Sequence, residues 1–350
     1  MNYMQTILDL NLKQMEEMLK EVGQKPYRAK QIYSWLYRKR VSSFDEMSDL
    51  PASLISWLKE HYTIAALHEI ERQVARDQTT KFLFELQDGA SVEAVLMHFH
   101  FGKSLCITSQ VGCNMGCAFC ASGLLKRDRN LTAAEMVGEV LVLNQILAEE
   151  GENVSHIVVM GTGEPFDNYE NVMRFVHIMN DPFALAIGAR HITVSTCGLV
   201  PGIMKYAEET IQINLAISLH APNDKIRNQI MPVSRAYPMD KLIEAIKYYE
   251  EKGGRRVTFE YILIAGLNDS MKEADELAKL IHDNHIYAYV NLIPVNPVKE
   301  KGFLRPSEKA IHAFHDRLMK AGVNTTVRKE FGTDIDGACG QLRAKVEGKL

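Results

Sequence analysis

From residue 105 onward, short β-branched runs alternate with amphipathic helical stretches. "LCITSQ", "HIVVMG", "HITVST", "INLAISL", "VTFEYILI" and "AYVNLIP" read as strands, with "NTTVRK" as a candidate last edge. A strand, helix, strand order demands parallel neighbours joined by right-handed crossovers, which leaves very few topologies. Six such units predict an α/β fold built on a partial (β/α)6 barrel rather than a closed eightfold one. The first crossover illustrates the local logic. Thr132 and Glu135 in "TAAE" form a capping box, and Met136, Val140, Leu143 and Leu147 follow on one helical face. Reactive groups in such sheets gather at the C-terminal ends of the strands, so the residues after each strand are the first candidates.

The flanks differ from this core. Residues 1–67 have helical periodicity through Ile7, Leu10, Met15, Met18 and Leu19, then Ile32, Trp35 and Leu36, which predicts a small helical accessory domain. Residues 68–98 hold "EIERQVA", "TKFLFEL" and "SVEAVLMHF", a short β extension with turns such as "QDGA". The barrel then spans 99–335 and a C-terminal segment 336–350. Within the first module, "QKPYRAKQIYSWLYRKR" carries Lys25, Arg28, Lys30, Arg38, Lys39 and Arg40 without an acid, interleaved with Tyr27, Tyr33, Trp35 and Tyr37. That mixture suits RNA, through phosphate contacts and base stacking, and equally suits a solvated basic helix whose aromatics face its own core. Lys126, Arg127 and Arg129 in "LLKRDRN" raise the same two readings.

Composition sets outer bounds. A chain of 350 residues with 46% hydrophobic residues can bury a large core, and a net charge of −4 excludes a uniformly basic coat while leaving room for local patches. The N-terminus has no basic n-region or apolar h-region, and no run approaches the ~20 apolar residues that span a bilayer. A cytoplasmic protein, without membrane attachment and monomeric, is the expectation. Thiols stay reduced there, so clustered cysteines bind metal or do chemistry more often than they form bridges.

Three of the six cysteines do cluster. "VGCNMGCAFCASG" follows the first barrel strand and places Cys113, Cys117 and Cys120 as C-x3-C-x2-C. Three thiolates on one loop suit one metal centre. A structural zinc site normally takes a fourth protein ligand, whereas an iron–sulfur cluster held by three cysteines leaves one iron open. The next strand ends in "MGTGEPFDN", where Gly161 and Gly163 permit close backbone approach and Glu164 offers a carboxylate for an ammonium group. Later strand ends add Ser195, Ser218, His220 and Asn296, each of which alone reads as a cap or turn residue.

The cysteine loop, with Phe119 before its last cysteine, resembles the signature of radical S-adenosylmethionine enzymes. Together with "VEAV", "CITSQVGC", "ISLHAPND" and "DIDGACGQL", it resembles the RlmN and Cfr family of RNA methyltransferases from the helical N-terminus to just beyond Cys339. The resemblance implies a 4Fe–4S cluster on Cys113, Cys117 and Cys120. It also implies S-adenosylmethionine bound by Gly163, Glu164, Ser195, Ser218, Leu219, His220 and Asn296, with two molecules used per turnover. One would methylate Cys339, and the second would yield a 5′-deoxyadenosyl radical that removes hydrogen from that methyl group. The resulting carbon would add to an adenine of 23S rRNA, or of tRNA beside the anticodon. Glu93 would then act as proton acceptor and Cys106 as the resolving thiol that forms a transient disulfide with Cys339. Flavodoxin or ferredoxin is the implied class of electron donor. "GTGEPFDN" is nearer the RlmN form than the "GMGEALAN" form of Cfr, which favours methylation at adenine C2 over C8.

Without the resemblance, the same residues read more plainly. Glu93 in an alternating strand would be an outward, solvated carboxylate. Cys106 and Cys197 would be small buried hydrophobes. Gly337 and Gly340 would simply make the backbone around Cys339 flexible, and the whole chain could be a zinc-stabilised RNA-binding module without enzymatic activity.

Overall fold

In the computed structural model of the protein, the described residues are 4–64, 67–124, 126–253, 255–296, 302–335 and 341–346. The framework is one ten-stranded sheet in the order β14-β13-β12-β11-β10-β9-β6-β5-β4-β3. Seven strands are parallel neighbours: β6 (Gly102–Ile107), β9 (Val154–Val159), β10 (Ile192–Thr196), β11 (Asn214–Ser218), β12 (Val257–Leu263), β13 (Ala288–Pro294) and β14 (Thr325–Val327). They are the six expected strands and the candidate edge. The other three, β3 (His68–Val74), β4 (Thr80–Glu85) and β5 (Ser91–Phe99), run antiparallel and attach to β6. The sheet does not close, since β14 and β3 are its two ends. This is the α/β architecture of an open, partial barrel with a β extension.

The crossovers are helices for the reason the sequence gives. In α4 (Ala133–Ala148) both halves of the Thr132/Glu135 capping box form, and Met136, Val140, Leu143 and Leu147 are buried. Such a cap contributes about 1 kcal/mol. Next come α5 (Tyr169–Asn180), α6 (Val200–Ala207), α7 (Asp224–Ile230), α8 (Met239–Gly253), α9 (Met271–Asp283) and α10 (Glu308–Lys320). All but α7 hide an apolar stripe in the same core, for example Leu277 and Ile281 in α9 and Ile311 and Phe314 in α10, while Ile230 of α7 packs in a smaller cluster with Cys197 and Met231. A short ladder of β7 (Gln110–Val111) with β8 (Arg129–Asn130) brackets the cysteine loop. The described chain ends in α11 (Gln341–Val346).

The N-terminal module contains α1 (Leu12–Glu21), α2 (Arg28–Tyr33) and α3 (Ala52–His61), with β1 (Gln5–Thr6) paired to β2 (Tyr62–Thr63). Its apolar residues share one continuous core with the sheet and its helices. Polar ties reinforce that seam: Asp9 accepts from the backbone N–H of Ala134, Arg40 donates to the Asn144 carbonyl and Arg38 to the Pro182 carbonyl. The basic and aromatic stretch therefore divides. Tyr33 and Tyr37 are core residues, and Arg38 and Arg40 fasten the module to the rest of the chain. Tyr27 stays exposed, and the Lys39 ammonium lies over the Trp35 ring at 3.2 Å from its centroid.

Candidate active site

The turn after β6 and the turn after β9 are stitched into one surface. The Gly161 N–H donates to the Ile107 carbonyl at 2.9 Å, and the Ser109 and Gln110 N–H groups donate to Thr162 O at 2.9 and 3.2 Å. The Glu164 N–H then donates to Gln110 Oε1 at 2.9 Å. Glycine is required at both sequence-marked positions. A Cβ at Gly161 would sit 2.5 Å from Ile107 O, and one at Gly163, whose φ is +114°, would sit 2.6 Å from Ser109 Oγ.

Glu164 follows that cradle and is buried. Its Oε1 accepts from the Phe166 N–H at 3.0 Å and its Oε2 from the Cys197 N–H at 2.7 Å. Burial pushes its carboxyl above the usual range, and what offsets burial is hydrogen-bond donation from Cys197, Thr196 and Phe166 rather than a cation. The carboxylate is thus fixed in place by dipoles and lacks a charge partner of its own among the described ion pairs.

The three cysteines of the loop face the same space. Cys113, Cys117 and Cys120 border a cavity of about 260 Å³ together with Gly163, Glu164, Ser195, Ser218 and His220. Burial raises the Cys113 thiol to about 11 and pushes Cys117 higher still. Buried thiols of this kind become thiolates when a metal centre offsets their charge. Among the described residues, no three His, Cys, Asp or Glu side chains surround a single ion. A four-iron cluster does not need that, because its thiolates bind different irons. The donor set and the glycine cradle beside it fit a cluster with a small polar cofactor.

His220 closes the far side. It is buried, has a positive φ of 61°, and packs edge-on against Phe119 with ring centroids 4.8 Å apart. Burial, with Arg227 nearby, lowers its imidazole to about 3, so the ring is neutral. Nδ1 accepts from the Ile262 N–H at 3.0 Å, which places the ring proton on Nε2. Arg227 holds this region together from beneath. Fully buried, it donates to the carbonyls of Cys197 at 2.7 Å and Leu219 at 3.2 Å, tying the ends of β10 and β11. Sequence reading passed over Arg227, since an arginine in "DKIRNQI" looks like any helical surface residue.

Two more predicted cofactor residues, Leu219 and Asn296, adjoin this cavity without lining it. Leu219 is buried and bonded through its backbone to Glu260 and Arg227 rather than lining the cavity. Asn296 is exposed and borders a second, larger cavity of about 840 Å³. Ile293 and Arg328 line both cavities, so the two adjoin. The larger one is bounded by Val95 and Met97 of β5, Cys106 of β6, and Phe331 after β14. Ile335 and Gln341 also line it. Cys339 lies outside the described residues, but the nearest described residues on either side of its segment both border the cavity that holds Cys106.

Glu93 departs from the plain sequence reading. Its strand position is not solvated: the carboxylate is buried and pairs with Lys81 at 3.0 Å, where the two side chains are 4% and 0% exposed. Its other oxygen accepts from the Arg343 N–H at 2.6 Å. Removing one partner of such a pair costs about 3–5 kcal/mol, because a buried charge is left uncompensated. Arg127 and Arg129 are also engaged inside the protein, the first with Asp167 and the second with Asp88 and Glu135. Cys197 is buried, as its plain reading expects.

Comparison with known proteins defines the class first. Residues 107–280 match the radical SAM superfamily, and residues 5–64 match the ribosomal RNA large subunit methyltransferase N-terminal domain. A radical SAM methyltransferase from Sphaerobacter thermophilus superimposes with a TM-score of 0.91 at 44% identity, covering 96% of this chain and 98% of that one. The chain is 56% identical over 328 residues to a probable dual-specificity RNA methyltransferase RlmN of Spiroplasma citri, covering 94% of both. A protein of the same description from Staphylococcus carnosus is 52% identical over 341 residues, covering 97% of this chain and 93% of its own length. This chain belongs to the RlmN family of radical SAM methyltransferases.

Proposed function

We propose that the protein methylates C2 of an adenosine in 23S rRNA and in tRNA beside the anticodon, with Cys339 carrying the transferred carbon. The observation that carries this reading is the junction of the two cavities. A cysteine loop with an unpartnered carboxylate cradle borders one, and Cys106 and the flanks of the Cys339 segment border the other. Cys113, Cys117 and Cys120 would hold a 4Fe–4S cluster, with Gly163, Glu164, Ser195, Ser218 and His220 around S-adenosylmethionine. The chemistry supplied there is one-electron cleavage of the cofactor to a carbon radical, with flavodoxin or ferredoxin as the class of donor. Adenine C2 is electron-poor and bears no acidic hydrogen, so polar methyl transfer to it is not available.

The chain's own residues account for the rest. Glu164 takes the ammonium of the cofactor's methionine part, which supplies the cation its buried site lacks. Cys339 accepts a methyl group from one S-adenosylmethionine and, after hydrogen loss from that methyl, joins the adenine covalently. Glu93 accepts the ring proton. The Cys106 thiolate then attacks the Cys339 sulfur, and the S–C bond breaks with its electron pair going to the carbon, which takes up a proton as the RNA's methyl group. The disulfide that remains takes two electrons from a reductant before the next cycle. Residues 1–67 act as the RNA-binding accessory domain, where Tyr27, Lys30 and Lys39 are the candidate contacts. The test is nucleoside mass spectrometry of rRNA and tRNA from a deletion strain with and without the restored gene. Restoration should return 2-methyladenosine to both, and 8-methyladenosine or no change would overturn the reading.

A further inference from the structure

Lys81 is a fully buried lysine, and nothing in the sequence marks it out. It lies on β4 opposite Val95, while Glu93 lies opposite Leu83, so the lysine and the glutamate are diagonal neighbours on one face of the hairpin. Period-2 alternation puts Glu93, Val95 and Met97 on that face, and the last two line the cavity that contains Cys106. On its other oxygen Glu93 receives the Arg343 N–H of α11, the helix that opens directly after the Cys339 segment. Its main-chain carbonyl accepts from Thr108 Oγ1 at 2.7 Å, fixing the strand as well.

Burying a carboxylate is costly unless its charge is matched by a partner or by hydrogen-bond donors. The Lys81 ammonium, 3.0 Å from Oε2, and the Arg343 N–H, 2.6 Å from Oε1, together fix the orientation of the carboxylate. We propose that Lys81 is a positioning residue for proton acceptance: by pairing with the buried Glu93 carboxylate it holds that group oriented until the proton arrives from the RNA adduct. The balance is simple. The adduct's C–H bond breaks, its electron pair returns to the adenine ring, and the proton passes to Glu93 as a neutral carboxyl beside an unchanged ammonium. The one unpaired electron left by radical addition would go to a one-electron acceptor of the iron–sulfur class. This inference rests on the function proposed above and concerns only the step between adduct formation and release.

The experiment is anaerobic reaction of cluster-loaded Lys81→Met protein with S-adenosylmethionine and an RNA fragment, read by intact-mass spectrometry and nucleoside analysis. Methylation of Cys339 should persist at the wild-type level, methylated RNA should fall at least thirtyfold, and covalent protein–RNA adduct should accumulate. The double variant Lys81→Met/Glu93→Gln guards against misfolding, because it leaves no unpaired buried charge. If Lys81 acts through Glu93, that variant is no slower than Glu93→Gln alone, the sign of non-additive partners. Loss of Cys339 methylation together with product, or multiplicative losses in the double variant, would overturn the inference. Wild-type protein and Cys106→Ala serve as controls. If wild type forms no methyl-Cys339, or Cys106→Ala no adduct, the functional reading fails instead.

Discussion

Two buried carboxylates, Glu164 and Glu93, sit on the two halves of the sheet and solve the same physical problem in opposite ways. Glu164, after a parallel strand, is fixed by backbone N–H groups from Phe166 and Cys197 and has no ion-pair partner among the described residues. Glu93, on the antiparallel flank, has its cation built in as Lys81. A carboxylate left without a charge partner in a cavity is prepared for one that arrives with a ligand. One that already has its partner is prepared for a different task, such as holding a base in a fixed orientation. Under the function proposed above, the contrast separates the half of the molecule that binds cofactor from the half that handles the substrate's proton.

The largest effect should come from the ground that both halves share. Cys117→Ala is expected to abolish RNA methylation and Cys339 methylation alike, with loss of the broad visible absorbance of the reconstituted cluster. Stoichiometric zinc in place of iron in the wild-type protein would break the comparison altogether. Glu164→Gln comes next. Losing one charge-assisted hydrogen bond is worth ~1.5–3 kcal/mol, so binding of S-adenosylmethionine, measured by equilibrium dialysis, should weaken by about ten- to a hundredfold. Glu93→Gln should leave that affinity unchanged, and equal losses in the two variants would erase the distinction between them.

A smaller effect sharpens the comparison from beneath. Glu139 on α4 is a third buried carboxyl, whose Oε2 accepts from the Thr108 N–H at 3.3 Å and whose Oε1 has no hydrogen-bond partner. Burial raises it well above the ordinary glutamate range, so the folded protein holds it neutral. The unfolded chain releases that proton near pH 4.5, so the contribution is full below that pH and is lost as pH rises toward the folded value. Glu139→Gln should therefore stabilise the protein more at pH 8 than at pH 5, read as a larger rise in melting temperature at the higher pH. The smallest change belongs to the surface. Lys30→Ala/Lys39→Ala should weaken RNA binding a fewfold and lower its salt dependence by about two counterions, which filter binding across a salt series would read.

What the sequence disclosed follows the range of each interaction. The cysteine loop, the two glycines and the Thr132/Glu135 cap are local patterns, and each lies where its spacing predicts. All seven strands were visible because each is a short run rich in β-branched and apolar residues, as in "ITVST" and "NLAIS". Glu93 was misread as solvated because alternation alone assigns faces without saying what covers them. Its cover is Lys81, twelve positions away across a hairpin, together with α11 from the far end of the chain. Arg227 escaped for the same reason, since its partners are carbonyls at the ends of two strands. The basic module shows the converse: composition found its charges, but only the fold showed that Arg38 and Arg40 hold it to the rest of the protein.

The measurement closest to the central claim is anaerobic turnover of cluster-loaded Cys106→Ala and Cys339→Ala with RNA, followed by denaturing electrophoresis and mass spectrometry. Cys106→Ala should trap RNA on the protein through a one-carbon link to Cys339, and Cys339→Ala should form no such species. Identical, adduct-free behaviour of both variants with intact clusters would contradict the assignment of carbon carrier to Cys339 and of resolving thiol to Cys106.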